Sequence, residues 1–142
     1  MPVVLVDAGP LVALIDRSDD WHPLCRRTFE GLDTPLLTVW PAMAEANHLL
    51  KHVGRGQANL LRLVESGAIR LASLDRDDVP RMRELMAKYR DLPMDLADAA
   101  IVRVAERERI NHVFTTDRQD FRIYRPARIG HFILLPAAIF PA

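Results

Sequence analysis

Five carboxylates mark the places where this chain could do chemistry. Asp7 ends the apolar run Val3-Val4-Leu5-Val6, and Glu45 stands between Ala44 and Ala46. Asp95 and Asp98 are three residues apart in Met94-Asp95-Leu96-Ala97-Asp98-Ala99, and Asp117 closes Thr115-Thr116-Asp117. Asp98 and Glu45 are embedded in apolar sequence, where an ionised carboxylate needs a cation or several hydrogen bonds, because uncompensated burial costs several kcal/mol. The chain has only two lysines, Lys51 and Lys88, and neither lies beside these motifs. A hard divalent cation is therefore an economical partner, and oxygen-only ligands favour magnesium or manganese over zinc.

Other chemistries find less support. The histidines His22, His48, His52, His112 and His131 form no metal-ligand motif; His48 and His52 have i, i+4 spacing but lack the glutamate of a His-Glu-x-x-His helix. Ser18, Ser66 and Ser73 lie in no nucleophile-elbow context. Neither a Gly-x-x-x-x-Gly-Lys nor a Gly-x-Gly-x-x-Gly run occurs, which argues against a nucleotide cofactor.

The elements that must position the carboxylates can be read from hydrophobic spacing. Apolar runs at Val3 to Val6, Leu36 to Val39, Ala68 to Ala72, Asn111 to Phe114 and Ile129 to Leu135 predict strands, the last interrupted by Gly130. Asp7-Ala8-Gly9-Pro10 reads as a turn before a helix from Leu11 to Ile15. Helical spacing recurs from Trp21 to Gly31, from Pro41 to near Gly54, from Gln57 to Glu65, from Val79 to Arg90 and from Asp95 to about Glu108. This alternation predicts an α/β fold on a central, mainly parallel sheet flanked by helices. In such folds ligands bind beyond the carboxyl ends of the strands. Asp7 and Asp117 follow strands directly, while Glu45, Asp95 and Asp98 fall early in helices that run back from that edge, so all five converge on one rim.

The acids also have plain structural readings, weakest for Glu45, which lies past the first turn of an Ala-rich helix. Asp7 could serve a turn, Asp95 could cap its helix with Asp98 completing a box-like cap, and Asp117 could cap a short helix over Asp117 to Phe121, with Asp120 as surface charge. Their joint arrival at one edge favours a metal site over these separate readings.

Composition bounds the class. The chain has 142 residues, 49% hydrophobic and 27% charged, which fits a single globular domain over residues 1–142 and excludes disorder. Nineteen basic residues balance 19 acidic ones, so nucleic-acid contact would require a local basic patch. A single cysteine, Cys25, excludes an intramolecular disulfide and suits a reducing, cytoplasmic setting. The Val3 to Val6 run is too short for a secretory signal, and the C-terminal apolar stretch from Phe132 is broken by Pro136 and Pro141 before it could span a membrane.

Val4-Leu5-Val6-Asp7-Ala8-Gly9-Pro10-Leu11, Ala44-Glu45, Met94-Asp95-Leu96-Ala97-Asp98-Ala99 and Thr115-Thr116-Asp117-Arg118-Gln119-Asp120-Phe121 together resemble the PIN-domain ribonucleases, and most closely the VapC toxins of bacterial toxin-antitoxin pairs. The resemblance covers nearly the whole chain in order. It implies a three-layer PIN-like domain in which Asp7, Glu45, Asp98 and Asp117 surround Mg2+ or Mn2+, with Asp95 and Thr115 in support. Ala8 stands where many members carry a hydroxyl residue. The resemblance further implies a metal-dependent endoribonuclease, a homodimer and neutralisation by a cognate antitoxin protein. Arg118, Arg122, Arg125 and Arg128 follow the last motif and form a candidate RNA-facing strip. Two other readings stay open: a magnesium-dependent phosphoryl-transfer protein with a strand-end Asp as acceptor, and a non-catalytic PIN-like binding module.

Overall fold

The computed structural model describes residues 3–137, so the end of the apolar C-terminal stretch, Pro141 included, lies outside the described residues. Five three-residue strands form one sheet: β1 (Val4–Val6), β2 (Leu36–Thr38), β3 (Ile69–Leu71), β4 (His112–Phe114) and β5 (Ile133–Leu135). All neighbours are parallel, in the order β3-β2-β1-β4-β5. Each strand is shorter than its apolar run. Val3 is exposed, and Gly130, at φ +88°, turns the chain so that β5 starts only at Ile133.

Because side chains alternate across a strand, the sheet carries two cores. Val4, Val6, Leu36, Ile69 and Phe114 face α1 (Ala8–Ile15), α2 (His22–Glu30), α3 (Trp40–Leu49) and α4 (Gly56–Glu65). Leu5 and Val113 face α5 (Val79–Lys88), α6 (Leu96–Glu108) and α7 (Arg118–Ile123). The result is the three-layer arrangement expected. Burial of α6 is nearly complete from Ala97 to Ala105, Arg103 apart, which explains its largely apolar sequence. Met82 and Met86 pack into the same layer. No helix among the described residues is long and apolar enough to cross a membrane.

One expectation is corrected at the exit of β1. No turn separates strand from helix: α1 begins at Ala8, immediately after Asp7. Pro10 is tolerated because the first turn of a helix leaves its N–H groups without intrahelical partners. Gly9 is needed for another reason. A Cβ there would lie 2.0 Å from the Thr116 hydroxyl oxygen, so glycine lets the first turn of α1 pass against the segment leaving β4 without displacing the Thr116 side chain.

Candidate active site

The chain proceeds from β1 to β2 to β3 on one side, then crosses to place β4 on the other side of β1. Neighbouring connections therefore diverge beyond the carboxyl ends of β1 and β4, the switch point at which open α/β sheets form their clefts. Asp7 leaves β1 there, its N–H donating to the Phe114 carbonyl at 3.0 Å. The Thr115-Thr116-Asp117 segment leaves β4 beside it, anchored by the Thr115 N–H on the Leu135 carbonyl at 2.9 Å.

Asp7 occupies the N-cap position of α1, yet its carboxylate makes no cap hydrogen bond. It accepts instead from the Thr115 hydroxyl at 3.2 Å, and the Asp117 N–H donates to that same hydroxyl oxygen at 2.9 Å. Thr115 is wholly buried, so one side chain ties the two strand exits together. Asp95 does behave as a cap, its Oδ1 accepting from the Asp98 N–H at 2.8 Å. Asp98 does not complete a box. It is 7% exposed, and its Oδ2 accepts from the hydroxyl of the buried Tyr124 at 2.7 Å.

Carboxylate oxygens of Asp98, Asp117 and Asp120 come within 4.8 Å of one another. Asp120, expected as surface charge, is thus part of the cluster, while its N–H donates to Asp117 at 3.3 Å. The spacing Asp117-x-x-Asp120 repeats that of Asp95-x-x-Asp98, and this was the available signal: residues three apart at a helix start share a face. Tyr124 carried no such signal, since nothing in sequence tells a buried aromatic that packs from one that also orients a carboxylate. Packing does fix its ring, edge-on to Tyr89 at 5.0 Å and to Phe121 at 5.2 Å between centroids.

The electrostatics follow from burial and crowding. Desolvation, reinforced by the charge of Asp7, pushes the Asp98 carboxyl up to about 8. Burial pushes Asp7 up to about 6 despite the Thr115 hydrogen bond, with Glu45 and Asp95 adding repulsion. Desolvation and the neighbouring Asp120 raise Asp117. Glu45 stands at the solvent-facing rim and is raised too, by partial desolvation and then by Asp95 and Asp117. These groups sense each other's charge, so the four acids and Asp95 do share one rim. An all-oxygen donor set whose carboxyls are raised first by burial and then by mutual repulsion fits a hard divalent cation, whose charge offsets both on binding.

The arginine strip does not hold together. Arg118 is half-buried beside the cluster and donates to the Pro136 carbonyl at 2.7 Å. The Arg125 guanidinium folds onto the carbonyls of Arg122, Ile123 and Tyr124 at the end of α7. Arg128 lines a pocket with Arg109 and Asn111, at the amino end of β4 and opposite the carboxylates, because the chain beyond α7 runs back along α6. Arg122 and Arg125 alone remain exposed near that helix's end.

Comparison with known proteins agrees with this architecture. VapC26, a ribonuclease of Mycobacterium tuberculosis, is 27% identical over 135 residues, covering 94% of this chain and all of the relative. Among solved structures, VapC20 of Mycobacterium tuberculosis, a toxin that cleaves the sarcin-ricin loop, superposes with a TM-score of 0.71 at 17% identity, over 78% of this chain and 86% of that one. A toxin-antitoxin complex from Klebsiella pneumoniae gives 0.63 at 19% identity, over 83% and 89%. The PIN domain family model matches residues 4–126, from the first strand past all the clustered carboxylates. By that match, the chain belongs to the PIN domain family.

Proposed function

We propose that this protein is a metal-dependent endoribonuclease, the toxin of a toxin-antitoxin pair, cutting RNA phosphodiester bonds at the carboxylate rim. The observation that carries the reading is the cluster itself: carboxylate oxygens of the buried Asp98, of Asp117 and of Asp120 lie within 4.8 Å of one another, a crowding of acids that a cation relieves. Family membership and the ribonuclease and toxin relatives support it.

Asp98, Asp117 and Asp120 would hold Mg2+ or Mn2+ with Asp7, while Glu45 stands at the rim. A bound cation supplies activation of the attacking water and neutralisation of charge at the phosphate. Tyr124 holds one oxygen of Asp98 by its hydrogen bond, which fixes the orientation of the other. Thr115 does the same for Asp7 and keeps Asp117 at the adjoining strand exit. Asp95 fixes the first turn of α6 and so the position of Asp98 along it.

A phosphoacceptor role for Asp7 is less well supported. That chemistry wants a lysine at a strand end, whereas Lys88 lies over the Tyr89 ring, 5.2 Å from its centroid, and Lys51 belongs to the turn after α3. We include in the proposal a cognate antitoxin partner, cytoplasmic action, and self-association, the last supported by the exposed Trp40 and Leu61 on α3 and α4. Purified protein incubated with RNA and Mg2+ or Mn2+ should generate internal cuts that EDTA prevents. Intact RNA under all metal conditions, with the antitoxin absent, would overturn the reading.

A further inference from the structure

At the amino edge of the sheet, opposite the carboxylates, a cavity of about 380 Å³ is lined by Arg81, Arg103, Arg107, Arg109 and Arg128 with Glu106. Two buried acids are already committed to structure. Glu106 accepts two hydrogen bonds from Arg81, at 2.8 and 2.7 Å, and one from the Ala127 N–H at 2.7 Å. Asp78 accepts from Arg103 at 2.8 Å, from Arg107 at 3.0 Å and from the Asp75 N–H at 2.9 Å. Arg103 uses only its Nε in these bonds, which leaves its terminal nitrogens free.

Arg109 and Arg128 are exposed, and no hydrogen bond or ion pair among the described residues engages either guanidinium. Both adopt left-handed backbone, at φ 58° and 69°, a conformation that side-chain-bearing residues seldom take and that glycine usually fills after a helix. The two also line the adjoining pocket over Asn111 and Ile129, of about 400 Å³, so they stand between two openings. Arg81 also pairs with Glu84 at 3.3 Å and Arg107 with Glu108 at 3.1 Å, so the unpaired guanidiniums at the cavity are those of Arg109 and Arg128, in a chain whose net charge is zero.

We propose that this cavity binds backbone phosphates of the RNA, at a distance from the bond that is cut. The proposal rests on the ribonuclease reading above. From Asp98 to Arg107 the rise along α6 is about 14 Å, so one RNA strand can reach both ends of the helix. Exposed Arg122 and Arg125 lie on the chain segment that connects them. Arginine supplies the planar, paired donors that suit phosphate oxygens.

The test is the double variant Arg109→Gln/Arg128→Gln, in the full chain, with fluorescent RNA of about 20 nucleotides and anisotropy measured in EDTA. Its Kd should rise about tenfold or more at low salt, and the slope of log Kd against log salt should fall by about 0.7 for each arginine lost. With Mg2+ or Mn2+, KM for that RNA should rise at unchanged kcat. Arg109→Lys/Arg128→Lys, which keeps the charge, should recover most of the affinity. Unchanged Kd and slope in a folded variant would overturn the proposal while leaving the nuclease standing. Loss of affinity for polyglutamate but not for RNA would overturn it in favour of an acidic protein partner. Wild-type protein that binds RNA but never cuts it would refute the nuclease reading alone, and wild-type protein that does not bind RNA would refute both.

Discussion

Replacing Asp98 with asparagine should stabilise the metal-free protein at neutral pH while abolishing cleavage. The Asp98 carboxyl sits at about 8 against an ordinary 3.8, first through burial and then through the charge of Asp7. An acid whose folded pKa is raised binds protons more tightly when folded, so its stability is fully present below pH 3.8 and is lost as pH climbs through 8. At pH 7 the span is about three pH units, or on the order of 4 kcal/mol at 1.36 kcal/mol per unit. Asparagine has no charge to bury, and its carbonyl can still accept from Tyr124. Allowing about 1 kcal/mol for burial of its amide, the variant should gain about 2–3 kcal/mol, or roughly 5–10 °C in Tm for a chain of this size. The assay is thermal unfolding in EDTA at pH 4 and pH 7, repeated with Mg2+. The two proteins should nearly coincide at pH 4, diverge at pH 7, and converge again at pH 7 when magnesium stabilises only the wild type. A variant less stable than wild type at pH 7 without metal, or one that cleaves RNA at the wild-type rate, would refute the reasoning.

Three further outcomes are expected. Gly9→Ala should lower stability by about 1–3 kcal/mol, because the new methyl meets the Thr116 hydroxyl at 2.0 Å, and Thr116→Ala should relieve part of the loss in a double-mutant cycle of melting temperatures. Asp78→Ala should destabilise by about 3–5 kcal/mol in urea unfolding, because it leaves Arg103 and Arg107 without their buried partner, while the RNA cleaved per folded molecule changes little. Tyr124→Phe should keep the ring packing but weaken Mg2+ protection against unfolding, measured as a higher magnesium concentration at half-effect, because Asp98 loses the hydrogen bond that orients it.

The layer order was legible because short apolar runs alternate with helical spacing, and the carboxylates were legible because the topology leaves those residues one common edge. Strand ends were not, since hydrophobicity continues past the last strand residues, Thr38 and Leu71, into Val39 and Ala72, and begins before the first at Val3. The Gly9-Pro10 pair looked like turn chemistry; a tertiary contact with Thr116 governs the glycine instead. Asp120 was missed because its role depends on where α7 starts, one residue after Asp117. Arg128 was misplaced because a strip of four arginines suggests one continuous surface, whereas the chain between Tyr124 and Ile129 crosses from one end of α6 to the other.

The Thr115 hydroxyl has a direction built into it. A backbone N–H can only donate, so the Asp117 amide occupies the oxygen's acceptor side, and the hydroxyl's single proton is left to point at Asp7. The rotor is locked by the peptide bond two residues on, in either protonation state of the carboxyl it faces. Serine in this position preserves the lock and valine removes both halves of it at once, releasing a half-buried amide and a buried carboxylate together. A change of one oxygen atom at the exit of β4 therefore acts on an aspartate 108 residues earlier in the chain.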